Sequence, residues 1–100
     1  MAQATYREIE DNIRHRRAFR SGLILAEVQP SADSLSQGQL DGLEFSRLIA
    51  EAMDGSVSYI VYHDGTPVAW VLPRPRGMHI YGQFVSRAAV RIQKLCRSLA

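Results

Sequence analysis

The side chains with the widest chemical range in this sequence are three histidines and one cysteine. His15, His63 and His79 are far apart, and none has a Cys, Asp or Glu at a spacing characteristic of a metal site. Cys96 falls on the apolar side of its segment, which favours a buried thiol over a reactive one. No nucleophile with a base and no carboxylate pair completes a catalytic set. The sequence therefore predicts a protein that is not an enzyme and that uses no metal or cofactor.

Charge is unevenly distributed along the chain, although the net charge is only +2. Residues 1–20 carry five arginines against three acids, and residues 21–64 carry seven acids against Arg47 alone. Residues 65–100 contain no acid. Segregation of this kind is suited to electrostatic recognition of a partner. The candidate partner-binding residues are the cations of the last segment: Arg74, Arg76, Arg87, Arg91, Lys94 and Arg97.

Four interpretations of these cations remain open. They can bind another protein, or they can contact nucleic-acid phosphates, with His79 or Tyr81 available to stack on bases. They can also form a solvated face, or pair with the acidic middle of the same chain. The near-neutral net charge and the lack of a helix-turn-helix or RNA-binding signature favour a protein partner over nucleic acid.

Most of these cations belong to a segment with helical periodicity. Ser86 can cap a helix that runs to the C-terminus. One face is apolar and comprises Ala88, Ile92, Leu95 and Leu99, flanked by Ala89 and Cys96, whereas Arg87, Arg91 and Lys94 form another face with Arg97 at its edge. An alternative use of the apolar face is burial in a homodimer.

Two further helices are indicated by capping boxes, in which a side chain at the helix start and one three residues later bond each other's backbone. Thr5 with Glu8 predicts a helix over about 6–18, and Asp41 with Glu44 predicts a helix that ends near Met53. In the second helix Glu44, Arg47 and Glu51 are expected to form a solvated face.

The strongest local signal is Asp64-Gly65 between two runs rich in β-branched and aromatic residues. This dipeptide favours a two-residue hairpin turn, which predicts antiparallel strands over about 57–62 and 67–72. Counting outward from the turn places His63 opposite Thr66, Val61 opposite Val68 and Tyr59 opposite Trp70. Because Pro67 has no amide hydrogen, a further strand can join this side of the hairpin only beyond Ala69.

The remaining segments complete an α+β prediction. Leu23 to Val28 and Met78 to Phe84 are typical of short strands, and residues 29–39 form a loop that is either mobile or a binding loop. We expect a single domain over residues 1–100, in which a small sheet of three to four strands, built around the central hairpin, packs against three helices.

Several pieces occur in an order that resembles a known group of proteins. They are Arg17-Ala18-Phe19-Arg20, then Gly22-Leu23, then the acidic middle, then Tyr59-Ile60-Val61-Tyr62 and Thr66-Pro67-Val68-Ala69-Trp70. The sequence resembles short, mostly uncharacterised domains of actinobacteria and their phages, in which a Tyr-x-Val-Tyr strand runs into Thr-Pro-Ile-Ala-Trp. It differs from them after Tyr81, where the group has a polar strand and this chain has a basic helix.

The resemblance implies a phage or prophage accessory protein that acts inside a bacterial host, and it assigns no catalytic residue. No run approaches the roughly 18 apolar residues of a membrane span, and the N-terminus does not resemble a secretory signal. We therefore expect a protein of the bacterial cytoplasm, not associated with a membrane, that binds and modulates a host protein. The alternative is a nucleic-acid-binding protein that uses the basic C-terminal half.

Overall fold

A computed structural model describes residues 5–99 and has an α+β fold. The helices are α1 (Tyr6–Arg14), α2 (Gly42–Met53) and α3 (Arg87–Ser98). The strands are β1 (Phe19–Ser21), β2 (Ile24–Val28), β3 (Tyr59–His63), β4 (Thr66–Leu72) and β5 (Gly77–Ile80), with a turn of 3₁₀ helix at Ala32–Ser34. The predicted class is confirmed, but the sheet has five strands where three to four were expected.

The five strands form an antiparallel meander in which each strand pairs with its neighbours along the chain. The strand that sequence reasoning missed is β1, because the first helix was expected to continue to residue 18. Arg16 instead adopts a positive φ of 54°, which an α-helix cannot contain. The chain then turns back at Gly22, where φ is +59°, and Ser21 pairs with Ile24.

The central hairpin follows the predicted turn but not the predicted register. His63 pairs with Thr66, as expected, and Tyr62 pairs with Pro67. Val61 then pairs with Ala69, so Val68 is the extra residue of a β-bulge. The pairs of Val61 with Val68 and of Tyr59 with Trp70 were therefore wrong, since every pair beyond the bulge is shifted by one residue.

The outer side of β4 agrees with the constraint at Pro67 itself, although the neighbouring strand joins at Ala69 and not only beyond it. The ladder with β5 begins at Ala69, which pairs with Ile80, so no strand pairs with residue 67 on that side. Just before the ladder, the Val68 carbonyl accepts a hydrogen bond of 3.0 Å from the Tyr81 backbone N–H. The bulge thus supplies a contact to the segment that follows β5.

Helices cover both faces of the sheet. Tyr59 lies on one face and donates a hydrogen bond of 2.6 Å to the Arg17 carbonyl just after α1, and α3 packs over β4 and β5. The side chain of His79, on the opposite face, bonds Glu44 of α2 over 2.7 Å. The core between these layers includes the fully buried side chains of Ile13, Leu48 and Ile60.

The expectation that the charges of α2 form a solvated face was wrong for two of its three residues. The Glu44 and Glu51 side chains are only 16% and 12% exposed. Glu44 lies against His79, and Glu51 bonds Arg76 over 2.6 Å. These carboxylates therefore attach α2 to the sheet, and only Arg47 remains well exposed.

The long loop over residues 29–39 packs on the tip of the central hairpin. The Ser36 hydroxyl donates a hydrogen bond of 2.7 Å to the Gly65 carbonyl, and the Gln39 backbone N–H donates one of 2.9 Å to the Thr66 hydroxyl. Between them Gly38 has a φ of +51° and lies directly against Thr66. These contacts hold the 29–39 loop against the hairpin tip, so the loop is an integral part of the fold.

Candidate functional site

The six predicted partner-binding cations lie in two regions of the fold. Arg74 and Arg76 belong to the turn between β4 and β5, and the other four belong to α3. Arg76 reaches α2 and forms an ion pair with Glu51, so its charge is matched within the chain. Arg74 is exposed and makes no ion pair with any residue in the described range 5–99.

The basic face of α3, comprising Arg87, Arg91, Lys94 and Arg97, is exposed to solvent. Its opposite side is buried and comprises Ala89, Ile92, Gln93, Leu95 and Cys96. Within residues 5–99, no carboxylate forms an ion pair with any of the four cations. The interpretation that these charges pair with the acidic middle of the chain is therefore excluded for α3, although it holds for Arg76.

Three other surface cations form ion pairs with nearby carboxylates. Arg14 pairs with Glu10 over 3.2 Å, and Arg17 pairs with Asp11 over 2.9 Å. Arg47 lies 3.5 Å from Glu44. Arg7, Arg20 and Arg74 also lack an ion pair within residues 5–99, but they belong to three different segments of the chain. The basic face of α3 is distinguished by the concentration of four such cations on one helix.

Along one side of the basic face, a cleft of about 460 Å³ separates α1 from α3. It is lined by Tyr6, Ile9, Ile24, His63, Arg87, Ala88, Arg91 and Ile92. The isoleucines provide apolar walls, and His63 of β3 lies at the floor, where it is only 7% exposed. Arg87 and Arg91 stand at the exposed rim. We call this space the α1/α3 cleft.

The His63 imidazole makes no hydrogen bond, ion pair or ring contact with another residue of the described chain. The buried side-chain atoms without a hydrogen-bond partner in residues 5–99 are the Tyr62 hydroxyl and the Trp70 indole nitrogen, so the His63 nitrogens are open to the cleft and free to bond a ligand there. Sequence reasoning assigned His63 only to the hairpin tip and missed this role. The cleft is lined by residues of α1, β2, β3 and α3, and this combination is not visible in the local sequence.

On the other side of α3, Lys94 and Arg97 border a shallow groove that also includes Phe84. The Phe84 side chain is 72% exposed, which is high for a large aromatic residue. By contrast, the two aromatic residues suggested for base stacking are engaged elsewhere. His79 lies 4.8 Å from the Trp70 ring centroid and bonds Glu44, and Tyr81 is 6% exposed. Tyr81 is therefore closed to nucleic-acid bases, and His79, whose side chain is 38% exposed, is held by Glu44 and Trp70.

The apolar stripe of α3 is covered by the chain's own core. Ile92 and Leu95 are 6% and 3% exposed, and Cys96 is fully buried. Of the predicted stripe, Ala88 alone is exposed, because Ala89 takes the inward position. A homodimer formed through this apolar stripe is therefore not compatible with the fold.

Burial shifts Cys96 and Tyr62, two ionisable groups of the core, toward their neutral forms. Burial raises the pKa of the Cys96 thiol to about 11, which confirms that the cysteine behaves as a small apolar side chain. Burial also raises the pKa of the Tyr62 hydroxyl to about 12, and the nearby Glu27 charge adds to this effect.

Neither a metal cluster nor a membrane span is present between Thr5 and Leu99. No group of three or more His, Cys, Asp or Glu side chains in that range is arranged to hold a metal ion. None of the helices there is both long and apolar enough to pass through a bilayer. The chain matches no known family model, no curated protein and no solved structure.

Proposed function

We propose that this protein is a small, non-enzymatic accessory protein of the phage or prophage type that binds an acidic surface of a host bacterial protein and modulates it. The observation that carries the proposal is the basic face of α3, whose four cations have no carboxylate partner in residues 5–99. The partner binds outside the core, so the fold itself does not need to change.

The arrangement of these cations favours an acidic partner. Arg87 and Arg91 are four residues apart, and Lys94 and Arg97 are three apart, so like charges are neighbours along the helix surface and repel each other. An acidic surface placed against α3 removes this repulsion and gains charge-assisted hydrogen bonds.

Phe84 supplies the apolar part of the proposed interface. Protein interfaces combine a few aromatic anchors with a polar rim, and arginine is enriched in them. The exposed Phe84 beside Lys94 and Arg97 fits this pattern. Phe84 also lies outside the segments that resemble the actinobacterial and phage domains, so the binding surface is specific to this chain.

The phage-type origin and the location in the host cytoplasm rest on the resemblance of the hairpin. In the fold, Thr66 to Trp70 of that motif is buried in β4. The shared motif therefore specifies the scaffold, whereas the partner is recognised by the divergent C-terminal third.

Nucleic acid is the alternative partner, because the same four cations can contact phosphates. The two aromatic residues suggested for stacking are not suited to it, because Tyr81 is buried and His79 bonds Glu44. The exposed aromatic residues near the cations are Phe84, beside Lys94 and Arg97, and Tyr6, beside Arg87 and Arg91. We therefore favour a protein partner, and the test below separates the two.

The test is a pull-down from bacterial host lysate with and without nuclease treatment. The test variant combines Phe84→Ala, Lys94→Ala and Arg97→Ala. The matched control combines Leu43→Ala, Arg7→Ala and Arg20→Ala, which also removes one exposed apolar side chain and two cations that make no ion pair within residues 5–99. Circular dichroism checks that both variants fold.

We expect the wild type and the control to recover the same host protein from nuclease-treated lysate, and the test variant to lose it. With the purified partner, the Kd of the test variant should rise about tenfold or more, and wild-type binding should weaken with salt. Equal recovery by all three proteins, or no specific protein with any of them, contradicts the proposal. Recovery that disappears with nuclease supports the nucleic-acid alternative instead.

A further inference from the structure

The α1/α3 cleft has features of a ligand site. It shares Arg87 and Arg91 with the basic face of α3, and it adds His63 and three isoleucines that partner binding by the outer face does not use. Its volume of about 460 Å³ lies within the range of small-molecule pockets, which is roughly 300–1,000 Å³. Pockets of this kind combine apolar walls with a few polar groups that orient the ligand. Here Ile9, Ile24 and Ile92 form the walls, and the polar groups occur at two depths.

At the rim, Arg87 and Arg91 create a site for an anion. They are one helical turn apart on the cleft side of α3, and each guanidinium can donate a pair of hydrogen bonds to a carboxylate. The N-terminal end of a helix carries a partial positive charge, yet the first turn of α3 contains no acid. The field at the rim is therefore positive without a compensating group.

At the floor, His63 offers a hydrogen bond. The residue is more than nine-tenths buried, and its imidazole has no partner among the described residues. The imidazole lines the cleft, and its nitrogens are open to that space, so a ligand that brings a hydroxyl to this position can bond His63 while its apolar part displaces water from the cleft.

We propose that the α1/α3 cleft binds a small aromatic acid that carries a hydroxyl group at the end opposite its carboxylate. The carboxylate lies at Arg87 and Arg91, the ring lies between the isoleucines, and the hydroxyl bonds His63. This inference goes beyond the proposed partner binding and does not depend on it.

The probe for the test is para-hydroxyphenylpropionate, measured by calorimetric titration and by the NMR shifts of the His63 ring. Two matched compounds separate the contributions of its two ends. Phenylpropionate lacks the hydroxyl, and tyramine replaces the carboxylate with an ammonium group. We expect the hydroxylated acid to bind most tightly, phenylpropionate about fivefold more weakly, and tyramine not to bind.

Variants then assign each end of the probe to its residues. Replacing Arg87 and Arg91 together by Gln should weaken binding of both acids about tenfold. The control double variant, Lys94→Gln with Arg97→Gln, loses the same charge from the same helix outside the cleft and should bind as the wild type does. His63→Leu should remove the difference between the hydroxylated and the plain acid.

Three outcomes would overturn the proposal: tyramine binds as tightly as the acids, the two double variants behave alike, or the probe binds nowhere up to its solubility limit. Because the partner test uses Phe84, Lys94 and Arg97, failure of one proposal does not decide the other.

Discussion

The side-chain amide of Gln93 donates a hydrogen bond to the backbone carbonyl of Tyr81, with 3.1 Å between nitrogen and oxygen. Both residues are more than nine-tenths buried. The same amide lies 3.5 Å from the carbonyl of Val68, the extra residue of the β4 bulge. On the opposite side of the sheet, the Tyr81 hydroxyl accepts a hydrogen bond of 3.2 Å from the backbone N–H of Asp41, the N-cap of α2. Tyr81 therefore connects α3 to the start of α2.

Replacing Gln93 by Leu should lower the free energy of unfolding by about 1–3 kcal/mol. The new side chain is apolar and of similar size, so the main loss is the donor to a buried carbonyl. Urea denaturation measures the change. The control is Gln83→Leu on the exposed segment before α3, where we expect a change within about 0.5 kcal/mol. Equal effects at the two positions would show that the Gln93 bond does not contribute.

Two glycine-to-alanine substitutions should have opposite effects. At Gly38, φ is +51°, and a Cβ would lie against the Thr66 hydroxyl and 2.6 Å from the Gly65 carbonyl oxygen. At Gly42, the first residue of α2, a Cβ would meet nothing within 4 Å. We expect Gly38→Ala to destabilise the fold by about 1–3 kcal/mol and Gly42→Ala to stabilise it by up to about 1 kcal/mol. Thermal unfolding of both variants tests this, and a neutral Gly38→Ala would mean that the 29–39 loop does not hold the hairpin tip.

The ion pair of Glu51 with Arg76 should contribute more than an ordinary surface pair. Its carboxylate is only 12% exposed, whereas both members of the Glu10–Arg14 pair are more open to solvent. A double-mutant cycle to Ala should give a coupling energy of about 1 kcal/mol for Glu51 with Arg76, against about 0.3–0.5 kcal/mol for Glu10 with Arg14. Equal coupling energies would indicate that α2 is not attached to the β4–β5 turn by this pair.

Stability should fall in alkaline solution because of Cys96 and Tyr62. Burial raises the pKa of Cys96 from 9.0 to about 11 and that of Tyr62 from 10.0 to about 12. Above the ordinary pKa values the unfolded chain loses these protons before the folded chain does, so ionisation favours unfolding. The free energy of unfolding should therefore decrease from about pH 9 to about pH 12. Chemical denaturation across this range tests the trend, and the double variant Cys96→Val with Tyr62→Phe should show a shallower decrease.

The sequence was sufficient to predict features that depend on a few neighbouring residues. Asp64-Gly65 defines the hairpin turn because the dipeptide suits its backbone geometry. The capping residues Thr5, Asp41 and Ser86 start the three helices as expected, since each side chain bonds a backbone N–H in its own first turn. Thr5 and Glu8 form the complete capping box, whereas the Glu44 side chain bonds His79 and does not return to Asp41. The burial of Cys96 followed from its position on the helix wheel.

Features that depend on distant residues could not be predicted. The residues Thr66-Pro67-Val68 carry no local sign that Val68 is the bulge residue. The groups that bond the Val68 carbonyl are the Tyr81 backbone N–H and the Gln93 side-chain amide, and both lie far along the chain. The burial of Glu44 and Glu51 likewise depends on His79 and Arg76, which lie on another part of the chain.

The candidate site also combines features that the sequence predicted with features that it could not predict. Periodicity placed Arg87, Arg91, Lys94 and Arg97 on the outer side of α3, where the structure also has them. It could not show that two of them border a cleft whose floor is His63, because the cleft depends on where α1 and α3 lie over the sheet.

The meander also has a consequence for how the chain assembles. The β1–β2 and β3–β4 turns are short, and β5 follows β4 after only a few residues, so each of these ladders closes a small loop. β2 and β3 are instead separated by the loop and α2, a span of about 30 residues. Closing that span costs more chain entropy than forming any of the local turns. We therefore expect two locally folded pieces to form first and to join along the β2–β3 seam, which would also be the line along which the sheet first opens.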